Sequence, residues 1–313
     1  MMKSLHLCFY RYCITICCLL SFSQIARAQT DADALMIPKN FFCAGAMYTT
    51  NSWSNYWEGT FKRDNANLGT VNTKMYGIGG VYGITNKLDV LFSVPYVTTN
   101  ASAGTLKGQH GVQDLTLSLK WVPFQTEIGK GIFTVDAIAA GSVPLTNYEP
   151  NFLPMSIGLH STTASLRALA NYQVGRFFVA GAGQYILRND ITIDQSSYYT
   201  TELINSNRVY MPNANNFLFS AGYRSLKFNA EAIFSQTTTV GGFDMRKNDM
   251  PFPSNTMNWS TIGGLLKYSF DAVSGLELTA GGNYVLTGRN VGQSTTIFGG
   301  VLYIFDFSKK NTK

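Results

Sequence analysis

From Val71 to Phe307, strand-length stretches that alternate apolar with polar side chains recur, divided in turn by very short connections and by long polar ones. Side chains in a strand point to opposite faces at successive residues. Thus in 112–121 Leu115, Leu117, Leu119 and Trp121 share one face, and Asp114, Thr116, Ser118 and Lys120 share the other. The same split sets Leu226, Phe228, Ala230, Ala232 and Phe234 against Lys227, Asn229, Glu231 and Ser235. It also sets Leu276, Leu278, Ala280, Tyr284 and Leu286 against Glu277, Thr279, Gly281 and Asn283. The pattern predicts strands over 41–51, 71–84, 88–100, 112–123, 131–145, 162–174, 177–190, 214–224, 226–239, 259–270, 276–288 and 294–307. Short connections are expected at 85–87, 124–130, 175–176, Ser225 and 271–275, and long ones at 52–70, 101–111, 146–161, 191–213, 240–258 and 289–293. Long and short alternate, and the even strand count puts both ends of the run on the short-turn side, as in an all-β, up-and-down antiparallel transmembrane barrel of about twelve strands.

A soluble two-sheet sandwich could give the same alternation, with its apolar faces hidden and its polar faces wet. The aromatic residues favour the membrane. Trp121, Tyr172, Tyr223 and Tyr268 lie on the apolar parity within a few residues of a short turn, where a membrane-interface girdle belongs. Tyr96, Tyr185, Phe234 and Tyr284 near the long loops would form a second girdle, and Phe307 continues the alternate aromatics of the last strand. Pro95 and Pro144 both fall where a strand meets a long loop, a position that tolerates a residue without an N–H donor.

Residues 1–28 read as an export leader: Lys3 and Arg11 are basic, 12–22 is apolar, and Ala26-Arg27-Ala28 is a cleavage site, so the mature chain is expected to begin at Gln29. The apolar run is too short for a spanning helix. The rest, 29–313, reads as one barrel domain. The formal charge of +6 says little about a nucleic-acid partner, since Lys3, Arg11 and Arg27 leave with the leader and Lys309, Lys310 and Lys313 form a terminal tail. A charged fraction of 13%, against about 25% in ordinary soluble domains, means more, because one face of each strand excludes charge.

Two segments carry a resemblance. Leu91-Phe92-Ser93-Val94-Pro95-Tyr96, followed by Gly111-Val112-Gln113-Asp114-Leu115-Thr116-Leu117-Ser118-Leu119-Lys120-Trp121, resembles the hallmark strands of the outer-membrane family named for the meta-pathway of phenol degradation. The resemblance spans about 40 residues, as one V/L-P-Y strand end and one G-x-x-D-x-x-L-x-x-K/R-W/Y strand. It implies a barrel that passes small hydrophobic or aromatic molecules. The last strand, 301–307, also resembles the terminal signal read by the barrel-assembly machinery of Gram-negative outer membranes, with a basic tail after it as a departure.

Catalytic chemistry has little to work with. Cys43 is the one cysteine left after the leader and can form no internal disulfide. The remaining histidines, His110 and His160, fall in expected loops. His160-Ser161 invites comparison with a nucleophile pair, but adjacent strand residues face opposite ways and no Asp or Asn is placed to orient the imidazole. No metal-ligand spacing is present, and Gly77-Ile78-Gly79-Gly80 and Gly181-Ala182-Gly183 precede no helix that would make them phosphate cradles. The expectation is no enzyme, no metal and no cofactor.

What remains is the lumen. Asp89, Asp114, Lys120, Asp136, Arg167, Arg188, Lys227, Glu231, Lys267 and Glu277 fall on the polar parity and are expected to line a pore. Asp136, Arg167 and Glu231 lie at similar heights above the short turns, and Asp136 and Arg167, on adjacent strands, are expected to pair. The chain thus reads as a passive outer-membrane channel for small solutes, hydrophobic or aromatic ones among them. Its expected partners are membrane lipid, the assembly machinery and the solute. Loops 146–161 and 191–213 would form a lid, with Tyr148, Phe152, Tyr198 and Tyr199 either at an apolar entrance or packed within the loops. The competing reading is a plugged structural or adhesive barrel, because twelve strands fall between small filled barrels and open porins.

Overall fold

The computed structural model describes residues 33–247 and 249–308. The expected leader with its cleavage site at Ala28, and the basic tail from Lys309, lie outside the described residues. Twelve long strands make the wall: β1 (Phe41–Trp53), β2 (Val71–Thr85), β3 (Leu88–Ala101), β4 (Asp114–Ile128), β5 (Gly131–Pro144), β6 (Thr163–Val174), β7 (Phe177–Arg188), β8 (Asn213–Arg224), β9 (Phe228–Val240), β10 (Asn258–Ser269), β11 (Leu276–Arg289) and β12 (Thr295–Asp306). Each pairs antiparallel with the next, and β1 pairs with both β2 and β12, so the sheet closes on itself. Closure satisfies every strand edge, which the apolar core of a bilayer demands because it offers no water to an open edge.

The two faces are sorted in the reverse sense to a soluble protein. On β4, Leu117 and Trp121 are each 52% exposed on the outside of the wall, while Lys120 between them is wholly buried inside it. Phe219, Ile262, Leu266 and Ile297 continue the outer apolar surface. A sandwich would have put those side chains between two sheets; here one closed sheet presents them outward.

Several boundaries differ from the sequence reading, for identifiable reasons. The β4 strand does not stop at 123. A bulge between Trp121 and Phe124 keeps both rings on the outside, and the strand runs on to Ile128, leaving Gly129 and Lys130 as the turn. The bulge breaks strict alternation at Val122-Pro123, which made 124–130 look like a connection. Likewise 226–227 belong to the turn before β9, so Lys227 is outside the lumen, half-exposed and paired with Asp271. The long loops carry structure of their own: hairpin Asn55–Glu58 with Phe61–Asp64, and the small ladders Ile191–Thr192 with Arg208–Val209 and Tyr198–Tyr199 with Leu203–Ile204.

Candidate functional site in the barrel interior

Ahead of β1 the chain does not run along the wall. Residues 33–38 turn back into the barrel from the short-turn end and sit inside it as an irregular strap, hinged at Asn40, whose φ is 64°. Ile37 at 0% exposure packs with Cys43, Val81, Leu91 and Ile304, side chains of β1, β2, β3 and β12. Gly83 makes the approach possible, since a Cβ there would collide with the Ile37 and Pro38 carbonyl oxygens. The Ile37 N–H donates to Asp89 Oδ2 at 3.0 Å, and the Lys39 N–H donates to Asn86 Oδ1 at 3.0 Å.

At the tip of the strap Asp33 is the centre of a charged layer. Lys120 on β4 donates from Nζ to the Asp33 and Leu35 carbonyl oxygens, the latter at 2.8 Å, and lies 3.3 Å from Asp33 Oδ1. Lys267 on β10 lies 3.1 Å from Asp33 Oδ2. Around this contact Asp89, Asp136, Glu231, Glu277 and Arg224 are all buried, and the Arg224 guanidinium lies 4.1 Å from the centre of the Phe178 ring. Lysines buried so completely are found almost only with an opposite charge, and here Asp33 provides it to both.

The interior residues expected from the sequence occupy three levels. Asp89, Lys120, Asp136, Glu231, Lys267 and Glu277 are buried around the strap. Arg167 stands nearer the loops and donates from Nη2 to Gln184 Oε1 at 2.6 Å, with Gln184 in turn bonded to Ser165. The expected Asp136–Arg167 pair does not form. In the ladder Asp136 faces Leu169 and Arg167 faces Ile138, and neither Asp136 oxygen accepts a hydrogen bond from a described residue. The charges acting on Asp136 are instead Lys120, Asp33, Arg224 and Asp89.

Higher still, Arg188 donates to the Pro212 carbonyl at 3.2 Å, and Asp114 accepts a 2.7 Å hydrogen bond from the Tyr148 hydroxyl. Burial and the Asp114 contact both push the Tyr148 hydroxyl's pKa up.

Sequence reasoning missed two residues of this site. Arg224 follows the outward Tyr223 and could have been found by the same parity. Asp33 lies before the first strand, in a segment without periodicity, and nothing local marks it.

The outer aromatics Trp121, Tyr268 and Phe307 are exposed on the wall near the short turns. Tyr172 donates to the Ile128 carbonyl at 2.9 Å, and Tyr223 accepts from Arg176 at 2.9 Å, both beside a short turn. In the loops Tyr148 and Tyr198 are buried, Tyr198 stacking on Phe252, whereas Phe152 and Tyr199 are exposed. The Ser161 hydroxyl donates to the Asn189 carbonyl at 2.6 Å, and the His160 ring meets the Tyr148 ring edge-on, so the two make no nucleophile pair. Within the loop-side mouth a cavity of about 350 Å³ is lined by Asn51, Trp53, Trp259, Thr261, Asn283 and Thr296.

No protein-family profile and no curated protein sequence matches the chain. Among solved structures, an outer-membrane channel from Pseudomonas putida F1 superposes with a TM-score of 0.70 at 14% identity, covering 89% of this chain and all of that one. Two others are a NanC porin (TM-score 0.45, 9% identity, 82% of this chain and 98% of that one) and the TodX monoaromatic hydrocarbon channel (TM-score 0.43, 12% identity, 87% and 91%). The chain has the fold of the Pseudomonas channel: a closed, twelve-stranded antiparallel outer-membrane-type β-barrel.

Proposed function

We propose that the chain is a passive channel of a Gram-negative outer membrane for small solutes, hydrophobic and aromatic ones included. The observation that carries this reading is a closed wall, apolar outside, whose inner face bears side chains of both charge signs. A solute would enter past the Trp53 and Trp259 cavity, pass Asp114, Arg188 and Arg167, and meet its narrowest point at the layer of Asp89, Lys120, Asp136, Glu231, Lys267 and Glu277. Because both signs share that layer, selection by charge would be weak. Trp121, Tyr172, Tyr223, Tyr268 and Phe307 would anchor the barrel at the lipid interface after the assembly machinery inserts it. The resemblance of 91–96 and 111–121 to the phenol meta-pathway barrels, whose members are thought to pass aromatic molecules, supports the solute class.

The strap gives a second reading its own support, since a segment lying inside the lumen is what a plugged structural barrel would have. Liposome swelling and planar-bilayer recording separate the two. The channel reading expects swelling with small sugars or phenols and a conductance that changes in Arg167→Ala. Absence of both swelling and conductance at every voltage overturns it.

A further inference from the structure

The ring has twelve strands, and β4 and β10 are six apart in either direction. Lys120 and Lys267 therefore reach Asp33 from opposite walls, so their contacts cross the lumen. A static plug would be expected to join the wall by strand pairing. The strap does not: residues 33–38 belong to no strand, and the one backbone donor of this stretch bonded to a wall side chain is that of Ile37, among the described residues. Among the described residues its other attachments are side-chain ones: Ile37 in a small apolar cluster, the Asp33 carboxylate between two ammonium groups, and the Asp33 and Leu35 carbonyls that accept from Lys120.

The wall also holds replacements for that carboxylate. Asp89 is directly opposite Lys120 in the β3–β4 ladder. Lys267 is opposite Asn229 and Thr279, and Glu231 and Glu277 lie two residues along those strands, on the same face. Diagonal neighbours at that spacing are within reach of a lysine. If the strap withdrew, each ammonium group would fold back on a carboxylate of its own wall. Both lysines would keep a carboxylate partner, and the strap would leave the bore. Two arrangements that both satisfy the lysines are the requirement for a two-state element.

We propose that Asp33–Pro38 is a gate: a strap that closes the channel near its short-turn end while Asp33 bridges Lys120 and Lys267, and opens it by withdrawing as the lysines transfer to Asp89, Glu231 and Glu277. This rests on the channel reading. It extends that reading by locating the closed state and the contact that maintains it.

Cys43 supplies a native reporter, because its thiol is 2% exposed in the cluster that Ile37 completes. The experiment uses the whole chain from Gln29 onward, in which Cys43 is the one cysteine, reconstituted in liposomes and planar bilayers. A charged methanethiosulfonate reagent measures the Cys43 labelling rate, and single-channel recording measures the open fraction. Asp33→Asn and Lys267→Gln break the same contact from its two sides, and a heat-modifiability gel selects the variants that keep the barrel. The expected result is labelling and open fraction both raised about tenfold or more in each folded variant, the scale of losing one charge-assisted contact. Unchanged labelling and open fraction in folded variants of a conducting protein overturn the gate and leave the channel standing. Faster labelling with no conductance in any of the proteins overturns the channel reading instead.

Discussion

Lys120 and Lys267 stand on opposite walls of the barrel, and their ammonium groups lie 3.3 Å and 3.1 Å from the two oxygens of one carboxylate, that of Asp33. The pair also carries most of the positive charge of the layer. Without it, Arg224 would be the one buried cation among the described residues of this layer, against Asp33, Asp89, Asp136, Glu231 and Glu277. Charge of one sign around a constriction selects ions by field. The double variant Lys120→Gln/Lys267→Gln should therefore shift the reversal potential in a salt gradient toward cation selectivity, where the wild type shows little preference. An unchanged reversal potential would place the permeation path away from these lysines.

The sorting of the two faces predicts an asymmetry between neighbouring sites. Phe219 is 61% exposed near the middle of β8 and faces lipid in a membrane. Phe219→Arg should reduce refolding stability in lipid by about 2–4 kcal/mol, the cost of a basic residue at the bilayer midplane. Thr261→Arg, whose side chain lines the loop-side cavity, should lose much less. Equal losses in urea titrations of the two variants would contradict the assignment of the faces.

Asn290 ties three outer loops together. Its side chain accepts from the Gly59 and Met245 N–H groups, at 2.8 and 3.1 Å, and donates to Asp244 Oδ1 and the Thr256 carbonyl, both at 2.8 Å. It is 2% exposed, with a φ of 53° that Asn tolerates better than Ala does. Asn290→Ala should weaken the loop cap by about 3 kcal/mol, from buried groups left unsatisfied and left-handed backbone strain. Proteolysis within 54–64 and 241–257 should quicken while the barrel stays heat-modifiable. Asn290→Gly, free of the backbone strain, should cost less.

The same cap should be acid-sensitive. Two Arg289 hydrogen bonds, at 2.8 and 2.6 Å, hold the Asp244 carboxyl below the usual carboxylate range. A group whose folded pKa is depressed contributes its full stability above the unfolded value, about 3.9 for Asp, and loses it as pH falls through the folded value. Both side chains are about two-fifths exposed, so solvent screening keeps the effect modest. Corrected for intrinsic rate, amide exchange in 241–257 should stay level from neutral pH to about pH 4 and rise below it. Asp244→Asn should remove that acid step.

The sequence alone carried the wall. A two-residue period on segments such as 112–121 and 276–286 requires one wet and one oily face, and the aromatics beside the short turns say that the oily face is outermost. These are local properties, readable because each strand displays its own alternation. They became misleading where a local irregularity interrupted the count, as at the Trp121–Phe124 bulge, and where the alternation ran on past the end of a strand, as at Lys227.

What occupies the space inside the wall was decided by tertiary structure. Parity put Asp136 and Arg167 on one face of adjacent strands as diagonal neighbours, but the Arg167 guanidinium turns to Gln184 on the other adjacent strand instead. Asn290 reads in the sequence as one more loop residue, and becomes a hub only when loops distant along the chain converge on it. Asp33 has no period to announce it. Its role exists because closing the sheet brings β4 and β10 face to face, at a separation that two lysines and one carboxylate can span.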